Sequence, residues 1–239
     1  MALPAVVSVE TLTPEAVAKT IDHALLRPEM TVDEVVEGCR LCARLQVASV
    51  CVRPCDVRIA AEQLRGTGVA VGTVIGFPHG SSPTSVKVCE ALAALDDGAE
   101  ELDMVLNIGR LKSGRTDEVR DEIRQVVEAA KARLPGCCVK VILECALLTD
   151  DEKVAACRAA EAAGADYVKT STGFSSGGAT LADLGLMRAS TDPAATRVKA
   201  SGGVRTLDFL VECLGVGADR IGTSASEAII ADLRARRAA

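Results

Sequence analysis

One pattern recurs eight times along this chain: a short apolar run, then a longer amphipathic run rich in Ala, Leu, Glu and Arg. The apolar runs read as strands over 20–25, Ser49–Val52, 69–75, Glu101–Val105, 138–143, 167–170, 197–200 and 220–222. Helical patterns follow each of them, over Val32–Leu45, Val57–Leu64, 85–95, 118–133, 151–163, Leu181–Ala189, 206–214 and 226–236. Strands that alternate with helices must pair in parallel, because the helix carries the chain back to the same end of the sheet. Three strands are announced by the same joint, Gly98-Ala99-Glu100, Gly164-Ala165-Asp166 and Gly217-Ala218-Asp219. In each the glycine supplies the left-handed residue that ends the preceding helix. No linker, low-complexity tract or composition break interrupts the 239 residues. Eight units without a break favour one closed domain over 1–239, a (β/α)8 (TIM) barrel, over an open doubly wound sheet. An extra short helix over 14–20 is expected to cap the bottom of the barrel. No Gly-x-Gly-x-x-Gly follows the first strand, which argues against a dinucleotide site.

In such barrels the chemistry lies at the C-terminal ends of the strands, and the unusual polar residues of this chain gather there. Asp22 and His23 end the first strand, Asp103 lies in the fourth, Lys140 and Glu144 lie in or just after the fifth. Lys169 lies in the sixth and Lys199 in the seventh. A lysine within a buried strand must be paired or lose its proton, and an unprotonated lysine attacks carbonyls. Alternation puts Lys169 on one face with Tyr167 and Ser171, with Val168 opposite, while Val198 and Ala200 suit the helix-packed face beside Lys199. Both lysines then point into the barrel mouth. Lys199 is the neighbouring cation that would lower the pKa of Lys169, and Asp103 the acid/base group that would exchange protons with Lys199, directly or through a water. Each of these residues alone would more often be structural. Asp103, Lys140, Lys169 and Lys199 together are harder to explain so, because a fold gains little from burying three cations.

Gly173, Gly202, Gly203, Gly222 and Ser224 follow strands six to eight, where backbone amides of this barrel class commonly hold phosphate. Ser224 is expected to open and cap the last helix. Net charge is −6, from 27 basic and 33 acidic residues, and aromatic residues are 2% of the chain. A nucleic-acid surface is therefore not expected. No apolar run approaches the length needed to span a bilayer. The opening Met1-Ala2-Leu3-Pro4-Ala5-Val6-Val7 lacks the basic start of a secretory leader. The ten cysteines are accordingly expected as free thiols in a reducing cytoplasm. The spacing of Cys39, Cys42, Cys51 and Cys55 fits no common zinc site.

Seven segments, in order, carry a family resemblance. They are Ile21-Asp22-His23-Ala24-Leu25-Leu26-Arg27-Pro28, Ser49-Val50-Cys51-Val52-Arg53-Pro54, and Val74-Ile75-Gly76-Phe77-Pro78-His79-Gly80. Next come Glu101-Leu102-Asp103-Met104-Val105-Leu106-Asn107-Ile108-Gly109 and Lys140-Val141-Ile142-Leu143-Glu144. The last two are Tyr167-Val168-Lys169-Thr170-Ser171-Thr172-Gly173-Phe174 and Val198-Lys199-Ala200-Ser201-Gly202-Gly203-Val204-Arg205. Along nearly its whole length the chain resembles the deoxyribose-phosphate aldolase family. The resemblance implies a class I aldolase, with neither metal nor cofactor, that reversibly cleaves 2-deoxy-D-ribose 5-phosphate to acetaldehyde and D-glyceraldehyde 3-phosphate in deoxyribonucleotide breakdown. It implies Lys169 as the Schiff-base lysine and Asp103 with Lys199 as the proton donor and acceptor. Cys51 would lie near the aldehyde pocket and Asp22 near the substrate hydroxyls, with Lys140 and Thr170 also binding substrate. By analogy the chain is expected as a dimer or tetramer. Two positions depart from the pattern of some members: Phe174 stands where they carry a lysine, and Ala225 where they carry a second serine. Phosphate would then depend on backbone amides and Ser224. Two other readings stay open: another Schiff-base barrel aldolase acting on a sugar phosphate, and a non-catalytic phosphometabolite-binding barrel.

Overall fold

The structure, a computed structural model, describes residues 7–238. Residues 1–6, on which part of the expectation about a leader rests, lie outside the described residues. The strands are β1 (Ile21–Leu25), β2 (Ser49–Val52), β3 (Ala70–Ile75), β4 (Glu101–Val105), β5 (Cys138–Ile142), β6 (Tyr167–Lys169), β7 (Arg197–Ser201) and β8 (Arg220–Thr223). They close into one barrel in sequence order, β8 pairing back onto β1, and every pairing is parallel. The helices are α1 (Pro14–Ala18), α2 (Val32–Leu45), α3 (Val57–Leu64), α4 (Thr84–Asp96), α5 (Ile108–Lys112), α6 (Thr116–Arg133), α7 (Asp150–Ala162), α8 (Leu181–Ala189), α9 (Leu207–Gly215) and α10 (Ser226–Ala238). Among the described residues no helix is long and apolar enough to cross a membrane.

Local chemistry explains where the helices begin and end. Thr31 and Glu34 form a reciprocal capping box at the start of α2, and Thr149 and Glu152 do the same for α7, so orphan amide donors are satisfied at once. In α2 the buried Val35, Cys39 and Cys42 fall on one face at helical spacing, which accounts for both cysteines as core residues. All ten cysteines are unpaired thiols. Gly98, Gly164 and Gly217, the glycines of the three Gly-Ala-acid joints, all have positive φ.

α1 ends at Ala18, two residues earlier than the expected 14–20 helix. It lies against α10 near the N-terminal end of the barrel, where the Ala18 carbonyl accepts from Ala48 N at 3.0 Å. The sequence reading omits α5, a single short helix after β4. One turn is too short to display a period; its start is set instead by the Asn107 side chain, which accepts from Arg110 N at 3.1 Å.

The strand registers sort side chains into two faces. Leu102, Val139, Val141, Val168, Val198 and Ala200 are buried on the helix side and join the continuous apolar core. The inward face is different. Register places Asp103 beside Lys140, Lys140 beside Tyr167, Lys169 beside Lys199, and Lys199 beside Arg220. Where such barrels commonly hold layers of Val, Ile and Leu, this one holds ions.

Candidate active site

Asp103 projects from β4 into the middle of this charged interior and is 1% exposed. Its Oδ2 accepts from Lys169 Nζ at 2.7 Å and from Lys199 Nζ at 2.7 Å, and its Oδ1 from Lys140 Nζ at 2.8 Å. The register of β6 and β7, which pairs Lys169 with Lys199 side by side, brings both amines to one carboxylate oxygen. Asp22, from β1, pairs with Lys199 at 2.5 Å and, through its other oxygen, with Arg220 Nε at 2.7 Å.

Burial and charge act differently on each group. Burial pushes the Lys169 amine below its ordinary value, Lys199 adds to that, and Asp103 opposes it; the net shift is downward. Burial also works against charge on Lys199, but Asp103 and Asp22 outweigh it and the amine is raised. Lys140 follows the same logic, with burial overcome by Asp103, Glu101 and Asp22, and lies well above its ordinary value. Burial would raise Asp103; Lys140, Lys169 and Lys199 instead hold it well below the carboxylate range. The geometry therefore yields one amine biased toward the free base, a second biased toward the ammonium, and a carboxylate shared between them. A free amine beside a fixed acid is what carbonyl addition and iminium formation require.

Lys169 and Lys199 reach the wall of an open cavity of about 630 Å³ at the C-terminal end of the barrel. Lys169, Lys199, Asp22 and Cys51 line it, as do Gly173, Gly202, Gly203, Gly222 and Ser224. The Cys51 thiol is pushed up to about 11, chiefly by burial and then by Asp103, so it is held as a neutral thiol at neutral pH. Gly222 has a steric role as well: a Cβ there would stand 2.9 Å from Ser201 Cβ and 3.4 Å from Lys199 Cε.

Some expected residues stand elsewhere. Asp103, Lys140 and Thr170 do not line the cavity. Lys140 lies within the ionic layer, donating to Glu101 Oε2 at 2.6 Å as well as to Asp103. The Thr170 hydroxyl donates to the Ser201 carbonyl at 2.9 Å and accepts from Ser201 N at 3.0 Å, clamping the ends of β6 and β7. Ser224 does not cap the last helix, because α10 begins at Ser226; Ser224 stays in the loop at the cavity wall. Phe174 also lines the cavity, 47% exposed, with its ring edge-on to Phe77 at 5.3 Å.

Other contributors went unread in the sequence. Arg205, after β7, lines the cavity beside the glycine loops, and Arg27, after β1, lines it too. Glu101 and Arg220 lie in the ionic interior. Both carried the signal used for Lys169, a charge inside a strand. Glu144, which the sequence does single out after the fifth strand, holds the loop after β6: its carboxylate accepts from Thr172 Oγ1 at 2.5 Å and Thr172 N at 3.3 Å, and its backbone is left-handed with φ of 59°. Among the described residues no group of three or more His, Cys, Asp or Glu is disposed to hold a metal ion.

The chain matches a model of the DeoC/LacD family of aldolases over residues 16–224. It is 50% identical over 216 residues to a deoxyribose-phosphate aldolase of Staphylococcus epidermidis, covering 90% of this chain and 96% of the relative. A deoxyribose-phosphate aldolase of Bacillus mycoides is 49% identical over 214 residues, 90% of this chain and 94% of the relative. Among solved structures, the aldolase QR15 superposes with a TM-score of 0.86 at 39% identity, covering 93% of this chain and 97% of QR15. The tetrameric deoxyribose phosphate aldolase of Aeropyrum pernix superposes with a TM-score of 0.86 at 33% identity, over 94% of this chain and 93% of that one. A closed barrel, two buried lysines on one aspartate and these matches over nine-tenths of the sequence lead to one conclusion: the chain belongs to the DeoC/LacD family of aldolases.

Proposed function

We propose that this aldolase reversibly cleaves 2-deoxy-D-ribose 5-phosphate to acetaldehyde and D-glyceraldehyde 3-phosphate, with Lys169 as the Schiff-base nucleophile. The observation that carries the reading is Asp103 Oδ2, 2.7 Å from both Lys169 Nζ and Lys199 Nζ at the wall of the cavity. The free amine of Lys169 adds to the C1 aldehyde of the open-chain sugar and the carbinolamine loses water, leaving an iminium. Removal of the C3 hydroxyl proton then breaks the C2–C3 bond. Its electron pair flows into the iminium, giving an enamine on Lys169 and releasing glyceraldehyde 3-phosphate. Protonation of the enamine at C2 and addition of water return the free amine and acetaldehyde. Lys199 and Asp103 supply and accept these protons, since one carboxylate oxygen touches both amines and a proton passes between them without a long path. Ionised Asp103 also stabilises the cationic iminium beside it.

The phosphate lies against the loops after β6, β7 and β8, held by backbone amides around Gly173, Gly202 and Gly203, by Ser224 and by Arg205. Gly202 and Gly203 both have positive φ and both line the cavity. Asp22 and Cys51 face the sugar and aldehyde end, while Lys140 and Thr170 hold the groups that touch substrate. The unpaired thiols suit a reducing cytoplasm, and the chain works as a homo-oligomer, a dimer or tetramer.

Incubation with acetaldehyde and borohydride is expected to add one ethyl group, mapping to the peptide that contains Lys169. Retro-aldol turnover of deoxyribose 5-phosphate should vanish in Lys169→Ala. Turnover and trapping that survive that substitution would remove Lys169 from the reaction. Binding of deoxyribose 5-phosphate without turnover in the unaltered protein would favour a binding barrel.

A further inference from the structure

Below the two lysines that the reaction uses lies a second set of ions that it does not. Arg220, from β8, donates to Asp22 and, at 3.0 Å, to Glu101 Oε2. Glu101, from β4, also receives Lys140 Nζ at 2.6 Å. Neither Glu101 nor Arg220 lines the cavity. The interior thus holds four basic groups, Lys140, Lys169, Lys199 and Arg220, against three carboxylates, Asp22, Glu101 and Asp103. With every basic group protonated, one positive charge is in excess in a buried space, and the release of one proton removes the excess.

The contacts decide which group releases it. Arg220 touches Asp22 and Glu101. Lys140 touches Glu101 and Asp103, with Asp22 at 3.5 Å. Lys199 touches Asp22 and Asp103. Lys169 alone has a single carboxylate oxygen, and it shares that oxygen with Lys199. The other groups facing this cluster carry no compensating charge. Cys51 of β2 is pushed to about 11, Cys138 of β5 to about 12 and Tyr167 of β6 to about 12, each chiefly by burial. β3 presents only the uncharged Gly72 and Val74, which register beside Glu101 and Asp103. Arg197 of β7 stacks on the Tyr167 ring, 4.3 Å from its centroid, and is exposed to solvent.

We infer that Glu101 and Arg220 are positioning residues for the reaction: by occupying the lower carboxylates and cations of the barrel, they place the surplus proton on the one lysine that must lose it. The inference rests on the reading of Lys169 as the nucleophile. It assigns opposite effects to two residues that touch no substrate. Glu101 supplies a negative charge that favours ammonium on Lys169, and Arg220 a positive charge that opposes it.

The test is the pH dependence of acetaldehyde trapping by borohydride, read by mass at the Lys169 peptide, alongside kcat/KM for deoxyribose 5-phosphate. Glu101→Gln keeps shape and hydrogen bonds but removes the negative charge. Its acid limb should move to lower pH, by about one unit for a charge this close in a partly screened interior. Arg220→Gln should move the limb upward by a similar amount, Arg220→Lys should restore it, and the Glu101→Gln/Arg220→Gln double variant should return it near the starting position. Limbs that stay in place while kcat falls, or that move the same way in both single variants, would overturn the inference and leave the pair as scaffold. If Arg220→Gln does not fold, the sign of the Glu101→Gln shift decides alone. An adduct that maps away from Lys169 in the unaltered protein is a different failure, that of the nucleophile assignment.

Discussion

Replacing Lys199 with methionine tests whether one lysine tunes the other. Both Nζ atoms lie 2.7 Å from Asp103 Oδ2, so twice 2.7 Å, about 5.4 Å, is the most that can separate them. At an effective dielectric constant of about 20, two unit charges at that distance repel by about 3 kcal/mol, or about two pKa units. Methionine keeps the length and bulk of the side chain and removes only the charge and its hydrogen bonds. Asp22 would retain Arg220, and Asp103 would retain Lys140 and Lys169. Two changes then act on Lys169 in the same direction. The repulsion that lowers its pKa is gone, and Asp103 is freer to favour its ammonium form. Only the unprotonated amine attacks an aldehyde, so the acid limb of its reaction moves to higher pH by about two units, and the free-amine fraction near neutrality falls about 100-fold.

The assay is single-turnover formation of the borohydride-trapped acetaldehyde adduct between pH 5 and 10 (about that span brackets an ordinary lysine and a strongly lowered one). Adduct formation needs the amine but not the later carbon–carbon step, so it separates tuning from proton transfer. Lys199→Arg supplies the control: charge retained, limb expected near its original place. A uniform drop in rate across pH, with the limb unmoved in Lys199→Met, would refute the electrostatic argument and leave Lys199 a proton carrier alone.

Phe174→Lys places a cation at the cavity rim, and KM for a phosphorylated aldehyde should fall about fivefold, the worth of about 1 kcal/mol for an exposed charge-assisted contact; KM for the same aldehyde without phosphate should not change. Gly222→Ala should keep the melting temperature within a few degrees yet lower kcat at least tenfold, because the new Cβ stands 2.9 Å from Ser201 Cβ and 3.4 Å from Lys199 Cε; an unchanged kcat would mean that the lysine stem gives way freely. His23 is held at about 4 against an ordinary 6.5, chiefly by burial. An unfolded chain therefore takes up a proton at this site before the folded one does, so stability should decline between about pH 6.5 and 4 by about 3 kcal/mol. Urea midpoints across that range check it, and His23→Gln should flatten the decline.

The eightfold frame was legible because strand, helix and the Gly-Ala-acid joints repeat with little noise, and most boundaries fall within two residues of those expected. What repetition could not show was anything shorter than its own period, hence the omission of α5. Lys169, Lys199 and Asp103 stood out because each breaks an apolar strand. Arg220 and Glu101 break theirs too, but both open a strand, where a charge is usually read as facing solvent. Only the register, which sets Lys199 beside Arg220 and Gly72 beside Glu101, turns them inward. Lys140 shows the converse limit. The sequence places it on the inward face but not at a height, and height separates a lysine that lines the cavity from one that does not. Thr170 likewise spends its hydroxyl on Ser201, a partner no linear pattern discloses.

The charged interior also bears on why such a barrel keeps its ions at all. Buried ion pairs seldom stabilise a fold beyond what well-packed apolar residues of the same volume would give, whereas removal of one partner commonly costs about 3–5 kcal/mol. Asp103 is the extreme case, since three ammonium groups depend on it. A barrel filled with valine and leucine would avoid that exposure to single changes, but it could not generate a reactive amine. Lowering the pKa of Lys169 requires burial, and burial of one lysine alone would neutralise it without providing an acid to move protons. Burying three lysines and an arginine against three carboxylates solves both problems: most of the charge is matched, and the mismatch of one is concentrated where the chemistry needs it. Stability and reactivity are thus set by the same contacts, so substitutions in this layer that raise the melting temperature by replacing ions with apolar residues should, as a rule, silence the lysine.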